Sequence, residues 1–187
     1  MIFEGTNEIL RVLLALSGMR EVGEDMKEIG KALRDPLHSL GILGDYAARK
    51  AKSYVTPQKL ARLAPQLAPE GEILARYARA LGGTVEGLLF RHGKEIVQRE
   101  YQQERLANVA IDLYACLAVL SRATTAIAKR GTEKSAEEVR LARSFVREAK
   151  YRMVGHLKEM DKNRDAEMTA TSDVIYSGPG YAFIYWE

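Results

Sequence analysis

Six residues near the start, Ile2-Phe3-Glu4-Gly5-Thr6-Asn7, combine the residue types that acid–base chemistry at a carbon centre requires. Glu4 stands between an apolar pair and a glycine. Apolar neighbours desolvate a carboxylate and raise its pKa toward that of a working base. Gly5 allows a substrate to approach the backbone closely. Thr6 can cap the helix that follows, and the N–H groups behind it can receive a phosphate or another anion. The plainer alternative is an extended lead-in to a capped helix, and residue types alone leave both readings open.

A second candidate is the basic segment Asp45 to Arg62, with Arg49, Lys50, Lys52, Lys59 and Arg62 set against Asp45. Such a stretch can lie on an anionic membrane surface or simply be a solvated charged face. Asp112, between Ile111 and Leu113, is either a buried functional acid or one half of a helix-facing ion pair with an arginine such as Arg105 or Arg122. Cys116 falls on an apolar seam and reads as a core residue. His38, His92 and His156 are too scattered for zinc-ligand spacing, so no metal site is expected. Neither Gly82-Gly83 nor Gly178-Pro179-Gly180 matches a phosphate-binding fingerprint.

These residues must be held by helices. From Thr6, the residues Ile9, Val12, Leu13 and Leu16 follow an i, i+3, i+4, i+7 pattern, and Leu10 and Leu14 widen the apolar face. The stripe continues through Met19, Val22, Met26, Ile29 and Leu33, and Asp35-Pro36 should end it. Between residues 34 and 69, glycines and prolines leave room for one short helix around Asp45 to Val55. Ile73 to Phe90 reads as a helix with Ile73, Tyr77, Leu81, Val85 and Leu88 inward. Glu95 to Lys129 follows after Gly93, with a seam of Leu106, Val109, Leu113, Cys116, Leu120, Thr124 and Ile127. Gly131 closes it, and Ser135 to Met160 points Val139, Ala142, Val146, Ala149 and Met153 inward. The expected fold is an all-α antiparallel bundle with short turns. Three parts are expected: residues 1–33 with the motif and the apolar helix, a basic linker over 34–69, and a helical bundle over 70–187 with an aromatic tail.

The bulk composition agrees with a folded, helix-rich chain. Of 187 residues, 47% are hydrophobic and 28% charged, with only 5 Pro, so wholesale disorder is not expected. A net charge of +3 is too small to point to nucleic acid without a concentrated patch. One cysteine excludes an internal disulfide and suits a reducing compartment. No basic region precedes an apolar stretch at the start, and no apolar run looks long enough for a bilayer, so the reading expects neither a signal peptide nor a membrane span.

The string Met1-Ile-Phe-Glu-Gly-Thr-Asn-Glu-Ile-Leu-Arg11 resembles the segment that carries the catalytic base in acyl-CoA dehydrogenases. Leu13 to Gly18 and Arg105 to Ala123 resemble the very-long-chain subgroup, which has an extra helical domain after the catalytic one. The likeness covers residues 1–18 and 88–129 well, and 34–70 and the end of the chain poorly.

The resemblance implies that Glu4 removes the proton alpha to a thioester while the beta hydrogen leaves as hydride to FAD. It further implies that Gly5 lies against the acyl-CoA substrate and that Thr6, Asn7 and Glu8 border the FAD. Implied partners are long-chain acyl-CoA, an electron-transfer flavoprotein and a second subunit in a homodimer, with peripheral membrane contact through 45–62. The implied location is the cytoplasm for a bacterial protein and the mitochondrial matrix for a eukaryotic one. The N-terminal helical domain and middle β-domain that precede this motif in the family lie outside these 187 residues. The chain by itself is therefore expected to bind no FAD and to be inactive. Set against this is a non-catalytic helical module for subunit packing, membrane docking or assembly.

Overall fold

The computed structural model describes residues 6–34, 40–55 and 60–178, all helix and turn. Glu4 and Gly5, Lys59 and the aromatic tail lie outside the described residues. Helix α1 spans Asn7–Arg34, α2 Leu40–Val55, α3 Ala68–His92, α4 Glu100–Arg130, α5 Ala136–Lys158 and α6 Asp165–Ser177. Short 3₁₀ turns at Pro65–Leu67, Gly93–Gln98 and Glu133–Ser135 lead into α3, α4 and α5. The all-α expectation holds.

Helices α3, α4 and α5 form the expected antiparallel set. Ion pairs between α4 and α5 widen steadily from their joining turn: Arg130 with Glu138, then Asp112 with Arg152, then Arg105 with Glu159 just past α5. That order is possible only if the two helices run in opposite directions. Gly93 and Gly131 make the turns with φ of 52° and 80°, left-handed values that favour glycine. A side chain at either position would meet nothing within 4 Å, so conformation rather than space selects glycine.

Two apolar cores result. The larger joins Leu67 and Leu74 to Val109, Cys116, Leu120 and Ala123 of α4 and to Val139, Ala142, Val146, Ala149 and Met153 of α5. All five residues assigned inward on α5 are buried, because a strict 3.6-residue repeat leaves only one face for them. The smaller core brings Ala15 and Met19 of α1 against Val85, Leu88, Ile96, Leu106, Ala107 and Met160. Leu81 touches both cores.

Several expectations change. Helix α2 begins at Leu40 rather than near Asp45. Its Lys50 pairs with Glu86 of α3, so part of the basic segment faces the bundle rather than an open surface. Helix α4 starts at Glu100, five residues late, because Ile96 buries itself in a 3₁₀ turn. The Gln103 amide donates to the Ile96 carbonyl at 2.6 Å and holds that turn. The tail carries an unexpected helix, α6. The Asn163 side chain donates to the Glu159 carbonyl at 2.9 Å and accepts from the Asp165 N–H at 3.2 Å, which starts it.

Asp112 pairs with neither Arg105 nor Arg122. Its carboxylate accepts from Arg152 across the interface at 2.6–3.2 Å, since α5 brings that guanidinium closer than any arginine of its own helix. Cys116 is fully buried, and its thiol is pushed up to about 11, first by burial and then by the Asp112 charge. A thiol so protonated is no nucleophile. Helix α4 is, by length and composition, long and apolar enough to cross a membrane, contrary to the expectation of no such stretch. Its seam is nevertheless buried against α3 and α5, and Gln103 and Asp112 are buried along it, which marks a bundle-core helix.

Leu120 is fully buried and Leu113 only partly so. Leu120→Ala should therefore cost about 2–5 kcal/mol in urea unfolding, and Leu113→Ala clearly less. Equal losses would contradict this core. At pH 8, a thiol reagent should modify native Cys116 no faster than the protein unfolds; rapid modification of folded protein would show an accessible thiol.

Candidate functional site

Of the five residues assigned to a site, Thr6, Asn7 and Glu8 are described, and they begin α1. The Thr6 hydroxyl accepts from the Ile9 N–H at 3.3 Å, and its carbonyl accepts from the Leu10 N–H at 3.1 Å. Thr6 is thus the helix cap, as its position suggested. Asn7 and Glu8 are exposed. The Glu8 carboxyl is held below its ordinary range, chiefly by a hydrogen bond from its own backbone N–H and then by the Thr6 hydroxyl. Arg11, 3.9 Å from Glu8, adds a smaller effect.

Arg11 does more for position than for charge. Its Nε donates to Asn108 Oδ1 at 2.8 Å, a partly buried bond that ties the first turns of α1 to the first third of α4. The first turns of α1 are therefore held at one end of the bundle. Neither Arg11 nor Asn108 drew notice in the sequence, since a bond across 97 residues leaves no local pattern.

Beside that end lies an open cavity of about 1020 Å³ between α1, the start of α4 and α6. Glu8, Glu100, Glu104, Asp165 and Asp173 line it, with Arg99 as the one basic residue among the described residues of its wall. Such a wall repels a pyrophosphate, so this cavity does not suit a dinucleotide. Thr6, Asn7 and Glu8 fit a flavin only as polar groups along one edge of a site, because no basic cradle closes over them among the described residues. No group of three or more His, Cys, Asp or Glu among those residues could hold a metal ion.

Helix α1 buries Ala15 and Met19 and leaves an apolar row on its opposite side. Ile9, Leu10, Leu13 and Leu14 are 62%, 53%, 59% and 44% exposed. Ile9 and Leu13 had been expected inward; the small Ala15 lets α1 lie closer to α3 and α4 through the other face instead. A contiguous apolar surface of this kind marks a contact with another body. Helix α6 closes the far wall of the cavity and buries no residue of its own. A bidentate pair, Arg105 Nη1 and Nη2 to Asp165 at 2.7 and 2.5 Å, ties its first turn to α4.

Residues 65–178 match the family described as the ACAD9/ACADV C-terminal domain. The chain is similar to the very long-chain specific acyl-CoA dehydrogenase, mitochondrial, of Rattus norvegicus: 33% identical over 166 residues, covering 87% of this chain and 25% of that protein. The Homo sapiens protein of that name is 36% identical over 132 residues, 68% of this chain and 20% of the relative. For Bos taurus the identity is 33% over 163 residues, 81% and 24%. The chain thus spans about a quarter, or less, of the length of these curated relatives.

Charge-assisted bonds hold α6, so Asp165→Asn should release it. Amide exchange over residues 166–177 should quicken on the order of tenfold or more, while α4 and α5 keep their protection. Unchanged exchange in α6 would mean that something other than the Arg105 pair retains it.

Proposed function

This chain belongs to the acyl-CoA dehydrogenase family of the very-long-chain type, whose C-terminal helical domain it carries, and from that premise we propose that it works as part of an FAD-dependent dehydrogenase acting on long-chain acyl-CoA. The observation that carries this reading is the placement of Ile2-Phe3-Glu4-Gly5 immediately before the Thr6 cap of a helix anchored to that domain. Glu4 is the base that takes the alpha proton of the thioester. Its backbone N–H donates to the thioester carbonyl and stabilises the negative charge that develops there. Gly5 leaves room for the acyl chain beside the backbone. Thr6, Asn7 and Glu8 border the flavin, which when bound accepts the beta hydrogen as a hydride.

The rest of the chain serves position. The outward row of Ile9, Leu10, Leu13 and Leu14 seats α1 against the dehydrogenase body, which brings Glu4 to its substrate. The same row favours a second reading, a helical packing module whose motif is not used for catalysis. An electron-transfer flavoprotein as acceptor and a homodimer as the working assembly complete the first reading. Contact with an anionic membrane through 45–62 is the weakest part of it, because Lys50 is paired with Glu86.

The 187-residue chain purified alone should lack a flavin absorption band; a yellow protein would contradict the assignment of the flavin to residues beyond these. In the dehydrogenase bearing this chain, Glu4→Gln should retain FAD and acyl-CoA binding yet lose turnover by on the order of 10²–10⁴, the usual cost of removing a general base. Near-normal flavin bleaching by substrate in that variant would leave only the packing reading.

A further inference from the structure

The turn between α4 and α5 borders a concave basic site that plays no part in the chemistry above. A cavity of about 370 Å³ there is lined by Gln66, Thr132, Arg140, Arg143, Ser144 and Arg147, with two apolar residues and, among the described residues, no carboxylate on its wall. The three arginines follow one another at i, i+3 and i+7 along α5, which places them on one face.

They are not equivalent. Arg143 is fixed: its Nη2 donates to the Gln66 carbonyl at 2.8 Å and its Nε lies 3.5 Å from the Glu70 carboxylate. Among the described residues Arg140 reaches only Glu137, at 3.8 Å, and both side chains are 76% exposed, a solvated pair of little worth. Arg147 makes no ion pair with any other described residue. Two guanidinium groups thus flank a fixed third with their donors uncommitted. The Thr132 hydroxyl accepts from Gln66 Nε2 at 2.9 Å, which leaves its own proton available. Helix α5 starts here without a side-chain cap, so its first N–H groups add positive potential to the same region. Glu138 in that first turn is already taken by Arg130.

Planar guanidinium forks match the paired oxygens of a phosphate, and a cavity of this size admits a small phosphorylated molecule or a headgroup. We propose that this site binds phosphate groups, gripped by Arg140 and Arg147 over the fixed Arg143, whether from a soluble phosphorylated ligand or from a phosphate lipid headgroup. This inference is independent of the role given to Glu4.

The test uses the whole chain in low salt. One arm titrates inorganic pyrophosphate by calorimetry; the other sediments phosphatidylcholine vesicles with and without phosphatidic acid. The double variant Arg140→Gln/Arg147→Gln changes only exposed side chains, and its unfolding midpoint should match the parent's. Lys162→Gln, at an exposed lysine in the turn between α5 and α6, is the control. Binding in either arm should weaken on the order of tenfold or more in the double variant, stay unchanged in Lys162→Gln and fall with added salt. Binding of pyrophosphate identifies a soluble ligand; binding only to vesicles with phosphatidic acid identifies the headgroup. Absence of binding in both arms, or binding that the double variant keeps, overturns the proposal. An equal loss in Lys162→Gln would also overturn it, as the attraction would then be a general effect of positive charge.

Discussion

Helix α4 presents Val109, Cys116, Leu120 and Ala123 to one core and Leu106 and Ala107 to another, so a single helix supports both halves of the structure. Each large apolar side chain buried along it contributes on the order of 1.5–3 kcal/mol. Alanines at 107, 123, 142 and 149 let the neighbouring backbones approach closely enough for those contacts to form. By comparison, Arg152 is half exposed in its pair with Asp112, and a pair so open to solvent is worth a fraction of that burial. The apolar seam supplies the stability; the ion pair selects the register in which α5 lies on α4.

Position at the ends of the bundle depends on that seam. Because α4 is held rigidly, Asn108 can hold Arg11, and through it the first turns of α1. Because α4 is held rigidly, Arg105 can likewise hold Asp165 and the start of α6. Both attachments are polar and both lie toward the same end. Arg11 and Arg105, which make these attachments, are already committed, while the cavity between the attached helices is walled mostly by carboxylates, with Arg99 beside them. Near the α4–α5 turn, Arg140, Arg143 and Arg147 line a separate concave site.

The uneven reach of the relatives fits this arrangement. The family match begins at residue 65, where α3, α4 and α5 supply most of the larger core. Helix α1 lies outside that match and differs in kind, with one face buried and an equally apolar face left open. A helix of that sort belongs to two bodies at once, which is the arrangement the role proposed for α1 requires.

What the sequence determined by itself was everything with a local period or a local exclusion. The inward residues of α5 were legible because Val139, Ala142, Val146, Ala149 and Met153 keep one helical phase without a competing stripe. The cap at Thr6 and the turns at Gly93 and Gly131 were legible because each satisfies a nearby backbone requirement. The string around Glu4 is contiguous, so its resemblance to a family segment could be read without the fold. Only the tertiary structure decided which face of α1 turns inward, because Ile9 to Leu16 is apolar nearly all round and small Ala15 outweighs Ile9 and Leu13 in packing. Partner choice also waited for the fold. Asp112 with Arg152, Arg105 with Asp165 and Arg11 with Asn108 each join residues 40 or more apart. Helix α6 was invisible for the same reason: it buries nothing, so it left no stripe to read, and its first turn is held by an arginine of α4.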